Sequence, residues 1–255
     1  MSGYGEFSQF YDCLMTDVDY AARATYLLDV FSRHGNTPKT VLDLACGSGN
    51  LSRELQNRGV DPIGVDGSDT MLMGARQKLD DGTLLLCQDM RDLDLYGTVD
   101  GAVCTLDSLN HLCHTSDLAE VFRRVRLFVQ PQGLFVFDVN TVYKHREILG
   151  DNTFVAEQDG VVCVWRNRYF PRTHEVSMWL DFFAETEDGT YERYTDTVRE
   201  RAYTEKTLRR LLSENGWETL AVYADMTLDA PSAESDRIVF VARNTRTVEQ
   251  AKKGE

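Results

Sequence analysis

Three aspartates close or interrupt three successive apolar runs. They are Asp43 in Val41-Leu42-Asp43-Leu44-Ala45-Cys46-Gly47-Ser48-Gly49-Asn50, Asp66 in Gly64-Val65-Asp66, and Asp89 in Cys87-Gln88-Asp89-Met90. In the first, Gly47 and Gly49 permit a tight turn that a ligand can approach closely. The pattern alone also fits a dinucleotide, but Leu51 and Ser52 stand where a third glycine would pack on the sheet, and no Gly-Lys-Ser/Thr holds phosphates. Asp43 can order the turn or meet an ammonium group through water. The two oxygens of Asp66 can accept both hydroxyls of a ribose, Asp89 can accept from an adenine amino group, and Met90 can cover the ring. Together they outline one nucleoside slot.

Such a slot needs neighbouring strand ends. The runs at 40–46, 61–66, 83–90, 99–112 and 134–140 read as almost continuously apolar strands, with amphipathic segments between them. That alternation predicts an α/β fold, a Rossmann-like parallel sheet covered on both faces, with every strand's carboxyl end on one edge. Residues 155–203 break the rhythm with three longer, wetter segments that read as an antiparallel insertion. The expected division is 1–37 as an N-terminal lid and helix, 38–154 as the nucleoside-binding core and 155–203 as a roof. Residues 204–244 supply a last helix and strand pair, and 245–255 a flexible tail.

The 255 residues carry 41 acidic and 27 basic side chains, a formal charge of −14. A surface of that sign repels phosphate backbones, so nucleic acid is a disfavoured partner. The six cysteines, at 13, 46, 87, 104, 113 and 163, show no CxxC pair and read as buried thiols of a reducing compartment. No metal site is expected from them. The N-terminus lacks the pattern of a signal peptide and no run reaches membrane-spanning length, so a cytoplasmic chain without a membrane partner is expected.

The chain resembles the class I S-adenosylmethionine-dependent methyltransferases. VLDLACGSGN matches their glycine-rich motif, Asp66 their ribose acid, and Asp89 their adenine-side acid. VDGAVCTLDSLNHL and VQPQGLFVFDVN match their fourth and fifth strand signatures. The resemblance is strong over about 38–140 and looser beyond. It implies a seven-stranded sheet ordered 3-2-1-4-5-7-6, with only the last strand antiparallel. It also implies S-adenosylmethionine as cofactor and S-adenosylhomocysteine as product. By the same resemblance Ala45, Gly47, Gly49 and the Leu106 backbone attend the methionine part, and Asp66, Asp89 and Met90 the nucleoside. FSQFYDCLMTDVDY looks like the lid of the small-molecule members. Tyr11 is its candidate cofactor contact, or equally a packing aromatic.

Methyl transfer then needs alignment above all, and a base chiefly for a hydroxyl acceptor. Asp107, Asn110 and His111 follow the fourth strand, with His111 a candidate base or a loop histidine packed over the strand end. Asp107 can also fix the loop backbone. Asp138 and Asn140 end the fifth strand, lining the substrate side or capping a turn. In the insertion, Arg166 and Arg168 share a strand face, as do Arg199 and Arg201. Over the pocket they would clamp a carboxylate; facing solvent they would balance nearby acids. The expected function is methylation of a nitrogen or oxygen of a small metabolite by a monomer, or by a homodimer formed through the insertion. RNA or protein methylation, and a catalytically silent binding protein, are the competing readings.

Overall fold

Runs that bury both faces become central strands, and the segments between them bury one stripe as helices. The computed structural model describes residues 18–247. Helix α1 (Tyr20–Arg33) leads to β1 (Thr40–Leu44), α2 (Asn50–Gln56), β2 (Asp61–Asp66), α3 (Asp69–Arg76) and β3 (Leu85–Cys87). Next come β4 (Val99–Cys104), α4 (Thr115–Phe128) and β5 (Val129–Asn140). Four strands of a second sheet follow: β6 (Thr153–Gln158), β7 (Val161–Phe170), β8 (Glu175–Glu185) and β9 (Tyr191–Arg201). Helix α5 (Glu205–Glu214), β10 (Trp217–Ala224) and β11 (Arg237–Asn244) complete the core.

The main sheet is ordered β10-β11-β5-β4-β1-β2-β3. Counting core strands alone, this is the expected 3-2-1-4-5-7-6. Only β11 runs against its neighbours, β5 and β10. The order reverses between β1 and β4, which pair in parallel. At such a reversal the crossovers leave to opposite faces and open a crevice at the strands' carboxyl ends. On one face α1 and α2 bury Leu27, Val30, Phe31, Leu51 and Leu55 against Val41 and Val103. On the other, α4 and α5 bury Phe122, Val125, Leu208 and Leu212 against Phe135, Phe137 and Phe240. No helix among the described residues is long and apolar enough to cross a membrane.

Two details differ from the periodicity. The fourth strand ends at Cys104, because Leu106 (φ 57°) and Asp107 (φ 59°) turn left-handed and Ser108–His111 coils into a 3-10 turn. The insertion has a fourth strand, β6, whose six residues are all exposed and so show no alternation to read. A π-helical turn (Lys144–Leu149) links it to β5.

The second sheet is antiparallel throughout, ordered β6-β7-β8-β9. Its inner face carries Cys163, Trp165, Met178, Leu180, Phe182 and Val198, all packed in one cluster. Arg166 pairs across from Trp179 and Arg168 from Ser177, so these two arginines occupy the opposite face.

Candidate active site

The loop after β1 is shaped by three left-handed residues, Ala45 (φ 61°), Gly47 (φ 55°) and Gly49 (φ 78°). A Cβ on Gly49 would sit 2.9 Å from the Ala75 Cβ of α3, so the position needs glycine for conformation and for close helix packing. Among the described residues, a Cβ on Gly47 would meet nothing within 4 Å, which leaves that side of the loop open to a ligand. The Gly47 N–H donates to Asp66 Oδ2 at 2.9 Å and the Ser68 N–H to Oδ1 at 2.8 Å. The ribose-type acid is thus tied to the glycine loop. A carboxylate offers about four lone-pair directions, so two backbone bonds leave room for two hydroxyls. Burial pushes the Asp66 carboxyl up, and those backbone donors pull it partly back.

Asp43 is 2% exposed and accepts the Ser52 hydroxyl at 2.6 Å. It lines only a small recess beside Ala45, Gly47 and Leu106, in the position of a residue that orders the turn. Burial pushes its carboxyl up to about 6. Because this lies above the unfolded value of ~3.9, its favourable contribution is complete below about pH 4 and is lost as pH rises through 6. Asp43→Asn removes that penalty. Relative to the wild type it gains stability between about pH 4 and 6, by no more than ~3 kcal/mol at pH 7. Urea unfolding across that range checks this; parallel curves would contradict it.

Asp89 lies at the tip beyond β3, where Arg91 grips it through Nε at 2.9 Å and Nη2 at 2.6 Å. The guanidinium holds its carboxyl below the usual carboxylate range. Ala45, Gly47, Asp66, Asp89, Met90 and Leu106 line one cavity of about 1260 Å³. Asp107, His111 and Arg199 line it too, and its far wall is the inner roof, with Phe154, Trp165, Met178 and Leu180.

The other expected residues are brought near without all entering the cavity. Asp138, 1% exposed, accepts the Leu106 N–H at 2.9 Å and the Asp107 N–H at 2.8 Å, which fixes the left-handed pair. Asn110 is fully buried: its amide donates to the carbonyls of Asn140 and Arg201 and accepts the Asn140 N–H, joining roof to core. Asn140 donates to Asp107 Oδ2 at 2.8 Å. Arg166 ion-pairs with Asp181 at 2.7 Å on the outer face, and Arg168 lies over the Phe170 ring. Arg201 donates to the Cys113 carbonyl and covers Tyr203. Tyr11 lies outside the described residues.

Sequence reasoning missed the cations that hold this edge together. Arg237 at the start of β11 contacts Asp107 at 2.8 Å and Asp138 at 3.4 Å. Arg23 of α1 bridges Asp138 and Asp225. Both line the cavity, with Lys144. Their partners lie far away in sequence; the β5–β11 register, which sets Arg237 opposite Asn140, is the signal that could have found the first.

This geometry has known counterparts. A family model described as a methyltransferase domain matches residues 41–133. A Geobacillus sp. (strain WCH70) protein, provisionally named a methyltransferase, is 31% identical over 94% of this chain and 99% of its own. The crystal structure of an S-adenosylmethionine-dependent methyltransferase from Clostridium acetobutylicum ATCC 824 superposes with a TM-score of 0.83 at 30% identity, covering 94% of this chain and 98% of that one. The chain belongs to the class I S-adenosylmethionine-dependent methyltransferases. S-adenosylmethionine is the cofactor of this methyltransferase, and the open loop beside Gly47 with the cavity-facing Asp66 carboxylate fits its nucleoside. A dTDP-3-amino-3,6-dideoxy-alpha-D-glucopyranose N,N-dimethyltransferase from Streptomyces fradiae is 30% identical over 52% of this chain and 53% of its own.

Proposed function

We propose that this methyltransferase acts on a nitrogen or oxygen of a small metabolite seated beneath the roof sheet. One observation carries the reading. The cavity of about 1260 Å³ runs without a break from the strand tips to the inner roof, and it exceeds the ~300–1,000 Å³ typical of a single drug-sized ligand. It has room for cofactor and acceptor side by side. The S. fradiae relative, named for an amino-sugar nucleotide, supports a small acceptor.

In this reading Asp66 accepts the ribose hydroxyls, Asp89 and Met90 meet the adenine, and Ala45, Gly47 and the Leu106 backbone hold the methionine part. When bound, the cofactor supplies a methyl group on a cationic sulfur that departs as a neutral thioether. Phe154, Trp165, Met178 and Leu180 shield the acceptor from water. His111, in the cavity wall between the strand tips and the roof, takes the proton of a hydroxyl or ammonium acceptor. For a neutral amine, alignment does most of the work.

The test is a coupled assay of S-adenosylhomocysteine release against pooled metabolites, with mass detection of the added methyl. Release with one or a few small acceptors is expected. Release only with RNA or polypeptide would overturn the reading.

A further inference from the structure

Lys144 lines the cavity as a half-buried cation that no carboxylate neutralises at close range. It opens the π-helical turn after β5, where its backbone N–H donates to Thr141 Oγ1 at 3.1 Å. The side chain returns over the end of β5, and Nζ donates to Asn140 Oδ1 at 2.9 Å. Arg237 Nη2 approaches the same oxygen at 3.4 Å, so two cations converge on one neutral acceptor.

The charged neighbours on that wall are committed to one another. Arg237 is shared between Asp107 and Asp138, and Arg23 between Asp138 and Asp225. Glu200, 4% exposed, accepts from Asn140 Nδ2 at 3.1 Å and lies 3.2 Å from Nε2 of the buried His145. Asp107 feels Lys144 at longer range, which pulls its carboxyl down against the effect of burial. Among the described residues, no carboxylate lies within ion-pair distance of Nζ. An ammonium has three donors, and Asn140 takes one. A half-buried charge without a counterion is costly, and a bound anion relieves that cost. Arg199 also lines the cavity without an ion pair among the described residues, but it is exposed, where water solvates it well.

The far wall has the opposite character. Phe154, Ala156, Trp165, Met178 and Leu180 present an apolar surface, with the Phe154 and Trp165 rings 5.6 Å apart. We propose that the methyl acceptor carries a carboxylate or phosphate group held by Lys144, and an apolar body laid against the inner roof. This rests on the reading of a small metabolite beneath the roof. The anion takes the remaining donors of Nζ and supplies the missing counterion, and the nearby Arg237 adds attraction. Lys144 is then a specificity-determining residue: a neutral acceptor leaves it unpaired, and it repels a cationic one.

The experiment titrates benzoate, phenyl phosphate and benzyl alcohol into the full chain with S-adenosylhomocysteine bound, reading each Kd by ligand-observed NMR. At least one anion is expected to bind the wild type about tenfold or more tighter than benzyl alcohol, the scale of one charge-assisted hydrogen bond. Benzoate alone would identify a carboxylate site, and phenyl phosphate alone a phosphate site. Lys144→Met and Lys144→Gln lose the preference, Lys144→Arg keeps it, and all bind benzyl alcohol and S-adenosylhomocysteine like the wild type. The glutamine variant, which can keep the Asn140 bond, carries the test where the methionine variant does not fold. Anions that bind no tighter than benzyl alcohol overturn the proposal, as does unchanged anion affinity in a folded Lys144→Met or Lys144→Gln variant. Release of S-adenosylhomocysteine with neutral small acceptors alone would remove this proposal and leave the small-metabolite reading standing. Release only with RNA or polypeptide would remove that reading whatever the titrations show, so the two failures are distinguishable.

Discussion

Replacing Arg237 with Met lowers the unfolding free energy by about 3–5 kcal/mol, the cost of removing one partner from a buried ionic group. The side chain is 12% exposed and lies between Asp107 and the 1%-exposed Asp138. With methionine in its place, two carboxylates face each other across a poorly solvated gap, balanced by Arg23 beside Asp138 and at longer range by Lys144 near Asp107. Burial already pushes the Asp107 carboxyl up, so acidification protonates it early and narrows the deficit. Urea unfolding at neutral pH and near pH 5 measures both effects. A loss below about 1 kcal/mol at neutral pH would mean that the cluster is solvated and that Arg237 does not organise the cavity edge.

The reach of this cluster explains what the sequence could and could not reveal. The glycine loop, Asp66 and Asp89 were legible because each sits at the end of its own apolar run, and a parallel sheet collects such ends automatically. Their placement on one cavity needed only the order of the strands. Asp138 and Asn140 were legible as strand-end residues, but their work was not: Asp138 supports a left-handed turn thirty-odd residues upstream. Arg23, Glu200, His145 and Arg237 carry no local signal. Each acquires its role from partners brought close by β11 and by the roof docking on β5. Alternation on β7 separated Arg166 and Arg168 from Trp165, yet period two cannot say which face turns inward. The fold turned the Trp165 face to the cavity and left Arg166 to Asp181. Strand β6 was invisible because an edge strand with every residue exposed has no apolar period.

Asp66→Ala acts on the cofactor instead of the fold. The carboxylate is bonded to the glycine loop and lines the cavity, where the proposed reading has it accept two ribose hydroxyls. Its removal deletes both ribose acceptors and leaves the Gly47 N–H without its partner. A loss of ~1–3 kcal/mol in cofactor affinity follows, roughly 5- to 150-fold in Kd. Asp66→Asn, which keeps one acceptor oxygen, falls between. The backbone donors to Asp66, on Gly47 and Ser68, belong to half-buried loop residues outside the hydrophobic core, and both variants are expected to remain folded by circular dichroism.

Isothermal titration of S-adenosylhomocysteine into the wild type and Asp66→Ala therefore decides whether these three strand tips hold the nucleoside. Saturable one-to-one binding is expected, weakened roughly 5- to 150-fold in the alanine variant. Equal affinity in the two folded proteins would place the nucleoside elsewhere and contradict the account.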